Sequence, residues 1–71
     1  MNRFKLIVTI QGNPAYLSCN QISSVAPTGG VIDDDYFAID IKMAGGEVYT
    51  VRAAGKDAQG AALAVVRHLC P

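Results

Sequence analysis

The sequence predicts an α+β fold in one domain, residues 1–71: a small antiparallel β-meander of four to five strands followed by one C-terminal α-helix. Three observations predict it. The stretches "RFKLIVTI" and "YFAIDIKM" alternate residue by residue like strands, glycine-containing segments separate the strands at hairpin spacing, and "KDAQGAALAVVRHL" repeats its apolar residues at helical spacing.

In the first strand Phe4, Leu6, Val8 and Ile10 fall on one face and Lys5, Ile7, Thr9 and Gln11 on the other, before Gly12, Asn13 and Pro14 break the run. Doubling back so that Ile10 faces Ala15 would set Val8 against Leu17, Leu6 against Cys19 and Thr9 against Tyr16, which keeps the apolar set together. "CNQ" then reads as a weak turn. "ISSVAP" reads as a short strand that "PTGG", residues 27–30, brings to an end.

Phe37, Ile39, Ile41 and Met43 alternate with Tyr36, Ala38, Asp40 and Lys42, so the first set faces the core and Tyr36 the other way. A two-residue Gly45-Gly46 loop would mix the faces of this strand and the next, residues 47–53. A three-residue loop, Ala44-Gly45-Gly46, pairs Ile41 with Tyr49, Ile39 with Val51 and Phe37 with Ala53, and offers a glycine for the left-handed position. Beyond Gly55, Ala58, Ala62, Val65, Val66 and Leu69 form one helical stripe. Asp57 suits the start of that helix, and Arg67 and His68 suit its end.

A chain of 71 residues buries only about 60% of the surface its extended form exposes. Its core is thin, its apolar content is 51%, and both favour burial against a protein partner or a further copy of itself. Six Lys plus Arg against six Asp plus Glu leave no basic excess for phosphates, which argues against nucleic acid. Cys19 and Cys70 have no zinc spacing and read as buried or half-buried thiols in a reducing cytosol. The N-terminal run, interrupted by Lys5 and Thr9, has the character of neither a signal peptide nor a membrane span. A bacterial cytoplasm is the expected location, including that of a phage-infected host.

No cofactor, metal site or catalytic residue is expected. The one histidine, His68, lies two residues from Cys70, a spacing that points the side chains apart on a helix, and no serine sits in a nucleophile elbow. Asp33, Asp34 and Asp35 lack the alternate spacing and closing glutamate of a calcium loop. They read as a solvated loop entering the next strand or, with Tyr36 as anchor, as a contact patch for a basic partner. Neither glycine pair, 29–30 or 45–46, opens a helix as a phosphate cradle does. Tyr16, Tyr36 and Tyr49 lack the interleaved cations of a base-stacking sheet.

The stretches "GNPAYLSCNQISSVAP" and "AIDIKMAGGEVYTVRAA" and the helix beginning at Asp57 together resemble the small flagellar FlbD-type proteins and similar short proteins of phages and prophages. That resemblance implies a sheet-plus-helix module without catalytic residues, encoded by a phage or another mobile element. The function expected is that of a small non-enzymatic interaction protein that self-associates and binds or modulates a host macromolecule, as an inhibitor or regulator. The alternative is an oligomeric nucleotide-type ligand binder, with Arg52, Lys56 and Arg67 as phosphate contacts. A small RNA-binding module of the Sm-like kind is the third reading, with its helix at the wrong end of the chain.

Overall fold

Two glycines in the left-handed region shape the tight turns. In the computed structural model, which describes residues 4–33 and 35–71 and gives the backbone alone for 29–33, Gly12 has φ +89° and Gly46 has φ +96°. Such angles strain any residue with a Cβ. Gly12 sits between β1 (Phe4–Val8) and β2 (Pro14–Ser18), and Gly46 between β4 (Tyr36–Met43) and β5 (Val48–Ala54). A 3-10 turn, Cys19–Gln21, leads from β2 into β3 (Ile22–Asp33), and α1 (Ala58–Leu69) ends the chain. These are the α+β class and strand number expected.

The β4–β5 hairpin has the expected register: Ile41 faces Tyr49, Ile39 faces Val51 and Phe37 faces Ala53. Met43 N–H donates to Glu47 O at 2.7 Å and Gly46 N–H to Met43 O at 3.0 Å, so Ala44, Gly45 and Gly46 form the three-residue loop. Ile39 and Ile41 are completely buried as a result, with Met43 and Val51 beside them.

The first hairpin departs from expectation. Leu6 pairs with Tyr16 and Ile7 with Ala15, three residues away from the register that puts Val8 opposite Leu17. The turn decides this. Thr9 N–H donates to Asn13 O at 2.9 Å, Asn13 N–H donates to Thr9 Oγ1 at 3.2 Å, and Ile10 N–H leaves the hairpin to reach Thr50 O at 3.0 Å. Strand pairing therefore stops at Val8, and Ile7 and Leu17, rather than the Phe4 to Ile10 alternating set, turn into the core.

The third strand also differs. The PTGG segment does not end it: β3 runs twelve residues to Asp33, with register shifts between Pro27 and Val31 and between Val31 and Asp33. Four steps along β3 answer two along β4 in the first of these, so the turn-forming residues are absorbed as an irregularity within an edge strand. An edge strand at an irregularity is where proline, which has no N–H to give to the ladder, is tolerated.

The sheets β1–β2 and β3–β4–β5 meet at the Thr9–Val51 bridge and the adjoining Ile10–Thr50 hydrogen bond. Helix α1 packs against β3, β4, β5 and β1, burying Ala61, Ala62, Val65 and Leu69. Its start is capped as expected: Asp57 Oδ1 accepts from Gly60 N–H at 2.7 Å. A Cβ on Gly55 would lie 2.5 Å from Ala61 N, so the strand-to-helix connection passes too close to the helix for any side chain. Among the described residues no helix is long and apolar enough to cross a membrane.

Cys19 and Cys70 are not the free thiols expected from the sequence. Both are half-buried, and they form a disulfide between Cα atoms 5.4 Å apart, spanning 51 residues of chain. It joins the 3-10 turn after β2 to the C-cap of α1. Closing a loop of that size restricts the unfolded chain by about 4 kcal/mol in the chain-entropy view.

The disulfide and the helix cap each set a measurable stability. Cys70→Ser should lower unfolding free energy by about 2–4 kcal/mol, or roughly 10–25 °C in melting temperature for a domain of this size; reducing the wild-type protein should do the same. A urea melt in which either change costs less than about 1 kcal/mol would remove the bond from its structural role. Asp57→Ala should cost about 1 kcal/mol through the lost cap, measured by the same melt, whereas Asp57→Asn should cost far less.

Candidate interaction surface

Because β1 carries apolar residues on both faces, burying Ile7 leaves the other set outside. Phe4, Leu6 and Val8 share the outer face by strand alternation, and Tyr16 joins it as the direct partner of Leu6. Their exposures are 63%, 46%, 52% and 68%, and Ile10, just past the strand, is 52% exposed. Single exposed apolar residues are ordinary on a protein surface, but a contiguous set of five on one hairpin is not. Charged residues border this set: Arg52 beside Val8 and Ile10, and Glu47 beside Phe4 and Tyr16.

One side of the patch runs into a cleft of about 250 Å³ between β1 and β5, bordered by Leu6, Val8, Arg52, Ala53, Ala64 and His68. His68 Nε2–H donates to the Leu6 carbonyl at 3.0 Å and so clips the end of α1 to β1. A carbonyl can only accept, which assigns the proton to Nε2. Neither member of the Cys/His pair is free: Cys70 is in the disulfide and His68 is held by Leu6.

The acidic segment is placed differently from the sequence expectation. Asp33 pairs with Tyr36 as the last residue of β3, so Asp35 lies at the tip of a tight hairpin instead of in a loop leading into a strand. Asp34 and the side chain of Asp33 lie outside the described residues. Asp35 is exposed, and its carbonyl accepts from Gly55 N–H at 3.3 Å, tying the tip to the connection before α1. Tyr36 faces outward as expected, but the Arg52 guanidinium carbon lies 5.2 Å from its ring centroid. The ring is thus engaged by a cation of its own chain.

Arg52, Lys56 and Arg67 are all exposed, on β5, in the β5–α1 connection and in the last turn of α1. Of the three, Arg52 alone borders the β1–β5 cleft. Among the described residues no group of three or more His, Cys, Asp or Glu is arranged to hold a metal ion. On the outer face of the larger sheet Thr50 Oγ1–H donates to Asp40 Oδ1 at 2.6 Å, a cross-strand pair that gives this face a polar character.

The outer face of the β1–β2 hairpin is therefore the feature that sequence pattern did not single out. Its signal was Ile7, an apolar residue on the supposedly polar side of the strand, which makes both faces eligible for burial. No protein family, curated protein or solved structure matches the chain.

The Tyr36–Arg52 contact yields a measurable coupling. A double-mutant cycle with Tyr36→Leu and Arg52→Ala should give an interaction energy of about 0.5–1 kcal/mol, as for an exposed cation–π pair. Strict additivity of the two changes would leave Tyr36 a free surface aromatic.

Proposed function

We propose that this chain is a small non-enzymatic interaction protein whose working surface is the outer face of the β1–β2 hairpin, and that its occupant is an uncharged, apolar protein surface. The observation that carries this reading is the exposure of Phe4, Leu6, Val8, Ile10 and Tyr16 together. Aromatic anchors among aliphatic neighbours are the composition of an interface centre. Phosphate recognition would need a cluster of cations, and of Arg52, Lys56 and Arg67 only Arg52 borders the patch. The engaged states of His68 and Cys70 support a non-catalytic role.

This moves the expected contact surface away from Asp33, Asp34, Asp35 and Tyr36. Tyr36 is stacked with Arg52, whereas the hairpin aromatics Phe4 and Tyr16 are more exposed. The alternative with Arg52, Lys56 and Arg67 as phosphate contacts gains no support from a shared cleft. The disulfide favours an oxidising compartment over the reducing cytosol, since structural disulfides form and persist in the former.

An apolar fluorescent dye tests the surface before any partner is identified. At nanomolar chain concentration the wild-type protein should enhance dye fluorescence several-fold more than the Leu6→Ser/Tyr16→Ser double variant, both showing the same cooperative melt. Equal enhancement by the two would refute the reading.

A further inference from the structure

Resting on that reading of the hairpin face as a contact surface, we infer that its occupant is a second copy of this chain, joined face to face about a two-fold axis near the Leu6–Tyr16 pair.

The area is sufficient. An aromatic side chain carries about 150–250 Å², so Phe4 and Tyr16 at their observed exposures, with three half-exposed aliphatic residues, present on the order of 500 Å² per copy. Two copies would remove roughly 1,000 Å², the threshold for a specific interface. Against a total surface of 4749 Å², the patch is near the tenth of a small protein's surface that such contacts use.

The patch is also matched to itself. An isologous contact brings one patch against the same patch reversed, so only a charge near the axis meets its like, and a charge toward one end meets the opposite end of the other copy. The five residues carry no charge near that axis. Arg52 borders the Val8 and Ile10 end and Glu47 the Phe4 and Tyr16 end, so reversal sets opposite signs toward each other. The formal net charge of the chain is zero, so no long-range repulsion separates two copies. A two-fold axis at Leu6 and Tyr16 turns the Phe4 end of one hairpin onto the Val8 and Ile10 end of the other, setting an aromatic ring against branched aliphatic groups. Two sheets meeting in this way pack about 10 Å apart with their side chains interleaved.

The strand edges favour the face over other modes of self-association. Pro14 begins β2, and Pro27 lies in the irregular stretch of β3, each on the outer strand of its sheet. Proline on an edge strand removes a donor that edge-to-edge pairing would need. Growth by sheet extension is thereby hindered, while the apolar face is left open.

Light scattering and sedimentation across nanomolar to high micromolar concentration test the proposal on the oxidised chain. The wild-type protein should pass from 7.5 kDa to twice that mass. Tyr16→Lys and Leu6→Lys should each weaken the dimer at least tenfold at low salt while keeping the cooperative melt. Tyr16 is exposed enough that its variant should fold even if the Leu6 variant does not. A wild-type chain that stays monomeric but binds the apolar dye sinks the second copy and leaves the contact surface standing; a monomer that binds no dye sinks both. Dimerisation of the folded Tyr16→Lys variant within twofold of wild type also overturns the proposal.

Discussion

The placement of the first hairpin depends on the Cys19–Cys70 bond more than on any other single contact. Among the described residues ten apolar side chains are buried, and of these Ile7 and Leu17 come from the hairpin, with the polar Ser18 buried beside them. Three buried side chains, one of them polar, are a weak attachment for ten strand residues. The disulfide strengthens it by holding the end of β2 to the end of α1, and the His68–Leu6 hydrogen bond anchors the same helix end to β1. At the other end of the hairpin the Thr9–Val51 bridge and the Ile10–Thr50 bond fix the turn against β5. Covalent, polar and apolar attachments therefore act at different points along one small hairpin, as suits a chain too short to rely on its core alone.

The apolar outer face follows from the same construction. A strand with apolar residues on both sides can give only one side to the core, and a shift of one residue exchanges the sides. In β1 the choice falls to the turn: the Thr9–Asn13 bonds and the left-handed Gly12 set a register that takes Ile7 inward. Phe4, Leu6, Val8 and Ile10 are left outside although they outnumber it. That arrangement wastes hydrophobic burial within one copy, which is why it points to burial against something else.

Legibility in the sequence followed the locality of the forces. The β4–β5 register could be read because only a three-residue loop kept Ile39, Ile41 and Val51 on one face, and the helix because Asp57 and the apolar stripe agreed. Both signals lie within a few residues of the structure they specify. The first hairpin could not be read in the same way: its turn is closed partly by a bond to Thr50, far along the chain, which no local pattern contains. Pro27 and the glycines after it gave a true turn signal, but pairing with β4 resumed at Val31 and overrode it. The disulfide was missed because two cysteines 51 residues apart reveal nothing until the helix end is brought over the 3-10 turn. For the site, the acidic run drew attention by composition alone, whereas the hairpin face emerges only once the register is known.

A thin core, a disulfide and an apolar face are physically connected. For a chain of this length the stabilising free energy is a small remainder after conformational entropy is met. The disulfide raises that remainder by restricting the unfolded state, and a second copy would raise it by binding the folded state alone. The two effects act on opposite sides of the same equilibrium, so neither substitutes for the other. They also meet at one place in the molecule: β2 carries Tyr16 on the outer face, and the bridging Cys19 follows its last residue, Ser18, directly. Loosening the covalent tie would let the hairpin shift on the core and disturb the surface that a second copy would need. Were a second copy to bind there, the bond would serve association as well as stability, because a contact face resting on so few buried side chains must be held rigid to be complementary to anything.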